Sequence, residues 1–270
     1  MRELLRTPQG LVGTALLLLV LLVATAGPAM APYDPEAFDR AARFTGPGPA
    51  HWLGADQFGR DTLSRLLLGA RTTLALALSA TLLGTVVGAL LGTVSAYLGG
   101  WADEALMRAL DAVMAVPHLL FTLLIVTVLG ASGVNALLAI GIAFAPGMAR
   151  ITRSVALAIR RQDYVAAAVA RGEGAPWIVL REMLPNVAGP IVVEATVRVA
   201  FAVMALATLS FLGLGAQPPA AEWGLMAAEA RPYLFRSGWM MLAPGLAIAL
   251  LAIGFNLFGD GLRDALNPRR

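Results

Sequence analysis

The sequence predicts an all-α polytopic membrane protein, and three observations carry that prediction. Of its 270 residues 58% are hydrophobic and 14% charged, with a mean hydropathy of +0.74, far outside the range of a soluble globular domain. The apolar residues gather in runs of about 20, the length at which a helix crosses a bilayer, and not in the alternating runs of about 10 that mark a membrane barrel. Polar segments rich in Gly, Pro and Arg separate these runs, so that six spans can be placed at about 11–26, 74–98, 113–129, 134–148, 191–212 and 240–258.

Composition also removes several classes of function. Without cysteine there are no disulfides, thiolate metal sites or cysteine nucleophiles. His51 and His118 are the two histidines, too few and too scattered for a metal cluster, and each reads as a loop or helix-end residue. Every basic residue is arginine, so a Walker A loop, which requires lysine, is impossible. Neither H-E-x-x-H nor G-x-S-x-G occurs. The chain is therefore expected to catalyse nothing by itself and to need no metal or cofactor. Its pI of 9.9 does not point to nucleic acid, because the arginines are dispersed and no basic run interleaves with aromatics.

The elements follow in order. Residues 1–31 hold Arg2 and Arg6 and then the first span; cleavage as a signal peptide at Ala29-Met30-Ala31 is the alternative reading. Residues 32–72 form a Pro/Gly-rich polar segment. Turns at Gly54 and Gly59 lead there into an amphipathic helix with Asp61 and Arg65 spaced i, i+4, expected on a solvated surface. Residues 73–270 hold the remaining five spans. Gly84, Gly88 and Gly92, with Ala96, repeat every four residues along the second span, a face suited to close packing on a neighbouring helix. Asp103, Glu104, Arg108 and Asp111 make a polar bend, with Arg108 in helical reach of both Glu104 and Asp111. Arg150, Arg153, Arg160, Arg161, Arg171 and Arg181 crowd the loop after the fourth span, against Arg40, Arg43, Arg60, Arg65 and Arg71 on the other side. This favours a cytoplasmic placement for that loop and for both termini. Glu194 and Arg198 stand at i, i+4 in the fifth span; they read as an intrahelical ion pair snorkelling near the cytoplasmic end, with a functional pair as the alternative.

The chain is organised around residues 163–190, a polar, punctuated island between long apolar runs. Alanine-rich Tyr164–Arg171 favours helix, and Gly172 sits where a left-handed stop needs a residue without Cβ. Pro176 suits the first turn of a second helix, in which Trp177, Leu180 and Leu184 share a face until Pro185 and Pro190 interrupt it. These rules give shape and not partner: a lipid-lying helix, a plain connector and a docking knob for a soluble partner remain open.

The order Tyr164-Val165, Ala167-Ala168, Gly172 and Leu184-Pro185-Asn186 resembles the EAA loop of binding-protein-dependent ABC importer permeases, with Ala166 at the position of the usual Glu. His51-Trp52-Leu53-Gly54-Ala55-Asp56, Gly59-Arg60-Asp61 and Ser64-Arg65-Leu66 are similar to the signature of the dipeptide/oligopeptide/nickel branch of that family. Further similar blocks are Gly100-Trp101 to Pro117, Ser210-Phe211-Leu212-Gly213 to Met226, and Phe255 to Pro268, with Leu206 where the family often has an acid. The resemblance implies a six-helix type I permease fold in the inner membrane of a bacterial or archaeal cell. It implies that the loop at 163–186 docks a cytoplasmic ATPase through Tyr164, Val165, Ala166, Ala167, Ala168, Arg171, Gly172, Trp177, Leu180, Leu184 and Pro185. Asp163 or Glu173 would stand in for the missing Glu. Implied partners are two ATP-binding subunits or domains, a second and different permease chain, an extracytoplasmic substrate-binding protein and membrane lipids. The implied cargo is di- or oligopeptides, with nickel chelates or other small solutes as the alternative. A gradient-driven secondary transporter would need an intramembrane relay, for which Glu194, Arg198 and Asp260 are a thin set. A non-transporting membrane scaffold is the other rival.

Overall fold

The computed structural model describes Leu4 and residues 7–266 as helices joined by turns, with one isolated antiparallel bridge between Ala55 and Asp61. Arg2, Arg6 and the Asn267-Pro268 end of the last motif lie outside the described residues.

Helix α1, Pro8–Met30, begins at Thr7, whose hydroxyl accepts from the Gly10 amide at 3.1 Å, and has Pro8 in its first turn, where the missing N–H costs nothing. Helix α2, Thr62–Leu98, joins the amphipathic stretch and the second span in one element of 37 residues, about 55 Å long. Asp61 caps it, and no proline between residues 62 and 98 gives it cause to break.

The third span differs from the expectation of one helix over 113–129. Helix α3, Gly100–Met114, and helix α4, His118–Leu129, meet at 86° around Ala115–Pro117. Pro117 lacks an amide hydrogen and its ring disfavours helical geometry at Val116, so the helix stops there. With 12 residues, about 18 Å, α4 is too short to cross a ~30 Å hydrocarbon core alone. Counted as one broken span, the bent pair would be a sixth beside five long apolar helices.

Helix α5, Gly133–Ile159, starts at a Ser132 cap and carries Arg150 and Arg153 on its last turns, so these arginines belong to a helix and not to a loop. Helix α6, Asp163–Ala170, follows. Helix α7, Ala175–Trp177, then passes through a π-helical turn, Ile178–Met183, into helix α8, Leu184–Phe211. Pro185 and Pro190 therefore do not interrupt the chain. Pro185 occupies the first turn of α8, and the π turn before it absorbs the change in backbone register. Short α9, Trp223–Ala230, and α10, Trp239–Ala265, complete the chain.

The core rests on close helix approach. A Cβ added at Gly84 would lie 2.7 Å from the Gly141 carbonyl and Phe144 Cβ; at Gly88 it would lie 2.6 Å from the Ala145 carbonyl, and at Gly92 2.8 Å from Thr152 Cβ. Three successive turns of α2 thus lie directly on α5, with Gly141 returning the fit against Ala80 and Leu83. Helix α1 packs on α10 through Gly13 at Phe258 and Gly261 at Gly10, and α8 touches α2, α5 and α10.

Gly88→Leu is expected to cost at least ~1–3 kcal/mol by overpacking. Gly245→Ala in α10, where an added Cβ meets nothing within 4 Å, leaves stability unchanged or slightly raised. Thermal unfolding of the detergent-solubilised variants compares the two.

Candidate functional site

The loop at 163–186 folds as a hooked pair of helical arms. Gly172 takes φ +77, its amide donates to the Val169 carbonyl at 2.9 Å, and the Glu173 amide donates to the Ala168 carbonyl at 3.2 Å. This is a Schellman stop, which a residue without Cβ adopts freely. The chain then turns at Gly174 into α7.

The two faces of the hook have different surroundings. Val165 and Ala168 are 2% and 0% exposed and, with Ile178, Met183 and Val187, pack onto Ala89 and Ala96 of α2 and Met148 and Ala156 of α5. Leu184 is half-buried against the same cluster. Tyr164, Val169, Trp177 and Leu180 point away, 39%, 55%, 48% and 50% exposed, together with Ala166, Ala167, Arg171, Gly172 and Pro185. Trp177, Leu180 and Leu184 therefore do not share one face: the π turn between them shifts the register, leaving Trp177 and Leu180 outside and drawing Leu184 inward.

Charged side chains bridge the hook's outer rim. The Arg171 guanidinium lies 3.6 Å from Glu173 and 3.6 Å from Glu182, linking the two arms. Arg181 stacks over the Trp177 ring at 5.3 Å, and the Asn186 amide donates to the Glu182 carbonyl at 2.7 Å. Ala166 leaves an outward position without charge, while Asp163 lies exposed in the first turn of α6.

Behind the hook, α3 is tied to α5. Asp103 is buried and accepts from Arg153 Nε at 2.6 Å and Nη2 at 2.5 Å, and from the Ser95 hydroxyl. Arg160 donates to the Ala96 carbonyl at 3.0 Å, capping the end of α2. Arg108 pairs with Glu104, whereas Asp111, the other expected partner, pairs with Arg150.

At the opposite end of the bundle, the 51–66 segment is not a solvated surface helix. Asp61 and Arg65 are 2% and 1% exposed and do not pair with each other. Asp61 caps α2, accepting from the Ser64 amide at 2.8 Å and its hydroxyl at 2.7 Å, with His51 Nδ1 also at 2.8 Å. Arg60 donates to Asp56 at 2.6 Å and to Glu229 of α9 at 2.9 Å. Arg65 lies 3.5 Å from Glu229 and donates to the Ala220 carbonyl at 3.2 Å. Two cations and two carboxylates thus balance in a closed cluster. Beside it Glu222 caps α9 through the amides of Gly224 and Leu225, and Trp223 donates to the Leu66 carbonyl at 2.9 Å. Sequence reasoning missed Glu222 and Glu229. Their signal is two acids in a short apolar helix, which need buried cations or a cap.

Glu194 and Arg198 form the intrahelical pair, at 3.1 Å, and Glu194 lines a cavity with Gly189 and with Arg263 and Leu266 at the end of α10. The Arg198 guanidinium lies over the Phe144 ring at 5.4 Å and against Gly147, where a Cβ would be 2.9 Å from Nη2. It faces a cleft between helices.

Residues 84–270 match the family model described as "Binding-protein-dependent transport system inner membrane component", and residues 1–47 match the N-terminal TM domain of oligopeptide transport permease C. The chain is 40% identical to the probable D,D-dipeptide transport system permease protein DdpC of Escherichia coli, over 97% of this chain and 88% of that protein. It is 38% identical to the dipeptide transport system permease protein DppC of Haemophilus influenzae, over 96% and 90%. With the glutathione transport system permease protein GsiD of Pectobacterium atrosepticum it shares 38%, over 99% and 89%. Among solved structures, a chain of the inward-facing MetNI methionine ABC transporter superposes with a TM-score of 0.59 at 18% identity, over 75% of this chain and 96% of that one; it shares the type I permease fold.

Glu229→Gln leaves Arg60 and Arg65 with Asp56 alone and is expected to cost roughly 3–5 kcal/mol. Glu104→Gln, in a pair whose side chains are 64% and 78% exposed, changes stability by less than ~1 kcal/mol. Thermal denaturation in detergent separates the two outcomes.

Proposed function

Because the chain belongs to the family of binding-protein-dependent transport system inner membrane components, permease subunits of ABC importers whose ATPases are separate chains, we propose that its 163–186 hook is where an ATPase subunit docks. The observation that carries this reading is the hook's construction. An exposed apolar face, Tyr164, Val169, Trp177 and Leu180, sits on an inner face buried against α2 and α5 and runs through the π turn into α8 without a break. Aromatic and aliphatic anchors ringed by polar groups are the usual centre of a protein interface. The buried Val165 and Ala168 support this face, and Arg171, Gly172 and Pro185 shape its rim.

The hook and both termini lie on the cytoplasmic side in this reading, in keeping with the arginines that crowd 150–181. Two ATPase subunits, a second permease chain and an external binding protein complete the importer. Its cargo is di- or oligopeptides, by likeness to relatives whose names specify dipeptide transport. Closing of the ATPases on ATP pulls the hook, and because the hook is continuous with α8, the spans tilt with it and access alternates between the two sides. Coupling requires that the hook bind the ATPases differently in the two states, since equal affinity for both shifts nothing.

Leu180→Asp and Trp177→Ala, placed in the full importer, are expected to lower ATP-driven peptide uptake at least tenfold and to release the ATPases during purification, with membrane insertion unchanged. Gly172→Glu and deletion of 166–184 act alike. Normal uptake by Leu180→Asp contradicts the docking site, and uptake that follows a proton gradient after ATP depletion contradicts the importer coupling.

A further inference from the structure

Helix α8 is flanked by a row of cavities that meet at its one ionic pair. A cavity of about 460 Å³ reaches from Gly189 to Glu194, and a second of about 440 Å³ continues from Glu194 past Arg198 to Thr208. A third of about 230 Å³ opens on the other side of His118 and Arg198, toward the α3–α4 bend. From Gly189 to Thr208 the row follows α8 for about 28 Å, close to the ~30 Å of a hydrocarbon core. Glu194 is shared by the first two cavities, and His118 and Arg198 by the last two.

Arg198 is held for contact with an anion. Its side chain is 17% exposed, its guanidinium is flattened between the Phe144 ring and the Gly147 backbone, and its closest approach to Glu194 is 3.1 Å, from Nη2 to Oε1. Among the described residues, Arg198 Nε and His118 Nε2 are buried without a hydrogen-bond partner. His118 itself stacks on Phe144 at 4.9 Å. A guanidinium offers five donors and its geometry suits a carboxylate; here Glu194 approaches through Nη2 while Nε is left without a partner. A cation buried midway along α8 with donors to spare, beside an open cavity, differs from a pair serving stability, which apolar residues often replace without loss.

We propose that Arg198, backed by His118 and Phe144, is a carboxylate-reading subsite on the transport path, where the C-terminal carboxylate of a passing peptide displaces Glu194 from the guanidinium. The subsite rests on the peptide-importer reading above. Glu194 keeps Arg198 neutralised between cargoes and takes it back afterwards, so that the peptide is held without being trapped. An amidated peptide lacks the group that makes the exchange.

The test uses the complete importer in proteoliposomes, its binding protein saturated with trialanine or with trialanine amide. Arg198→Gln is expected to lower trialanine turnover at least tenfold while leaving the amide within twofold of wild type, and Arg198→Lys to restore part of the loss. Equal losses for both peptides assign Arg198 a structural role and overturn the subsite, as does unchanged trialanine turnover. Should Arg198→Gln fail to assemble, Glu194→Gln decides: freeing the guanidinium slows trialanine release relative to the amide, and equal effects on both overturn the proposal. A wild-type importer that moves neither peptide overturns the peptide reading itself, and the subsite with it.

Discussion

The close approach of α2 to α5 is the constraint on which the rest depends. Glycines at three successive turns of α2 leave no room for any side chain, so in the most extensive helix contact of the bundle, α2 on α5, the α2 backbone lies directly against its neighbour. In a bilayer, where lipid tails are as apolar as leucine, such packing takes the place of the hydrophobic drive. The same pair of helices supplies Ala89, Ala96, Met148 and Ala156, the bed on which the inner face of the hook rests. A looser α2–α5 contact would leave the hook without a rigid seat and Arg153 without its reach to Asp103.

Rigidity at the two ends has different sources. The hook end relies on apolar seating, a Schellman stop and the Arg171 link between Glu173 and Glu182. The far end relies on a charge-balanced cluster of Asp56, Arg60, Arg65 and Glu229, locked by the caps from Asp61 and Glu222. A buried cluster of this kind adds little net stability over apolar packing, yet is costly to break at one member. It therefore makes the far-end loop a single unit with α2 and α9, while the hook remains continuous with α8. Between the two ends, α8 carries the Glu194–Arg198 pair, so the hook and Arg198 are joined by a single helix.

What could be read in the sequence follows from which signals are local. Span number, the Gly172 stop and the four-residue glycine stripe depend on hydropathy, one φ angle and helix periodicity, and each is visible in short windows. The continuation of α8 through Pro185 and Pro190 was not visible, because a π turn leads into α8 with Pro185 in its first turn, while Pro190 is accommodated inside the helix. Nor was the fate of Arg65 visible: the i, i+4 rule offers Asp61, but Asp61 is committed to its own helix cap, and the true partner Glu229 stands far along the chain. The mid-helix burial of Arg198 likewise depends on Gly147 of another helix, which leaves space for the guanidinium. Long-range charge pairing and register shifts are set by tertiary packing, and no local window contains them.

The central claim is that the outward face of the hook is covered by an ATPase while its inner face is covered by the chain itself. The chain has no cysteine, so single cysteines at Leu180 and at Val165 can be titrated with a water-soluble maleimide in the assembled importer and again after the ATPases are stripped away. The account predicts that the position-180 thiol is shielded in the complex and reacts at least tenfold faster once the ATPases are gone, with the position-165 thiol slow in both. Equal reactivity at position 180 with and without the ATPases would contradict it.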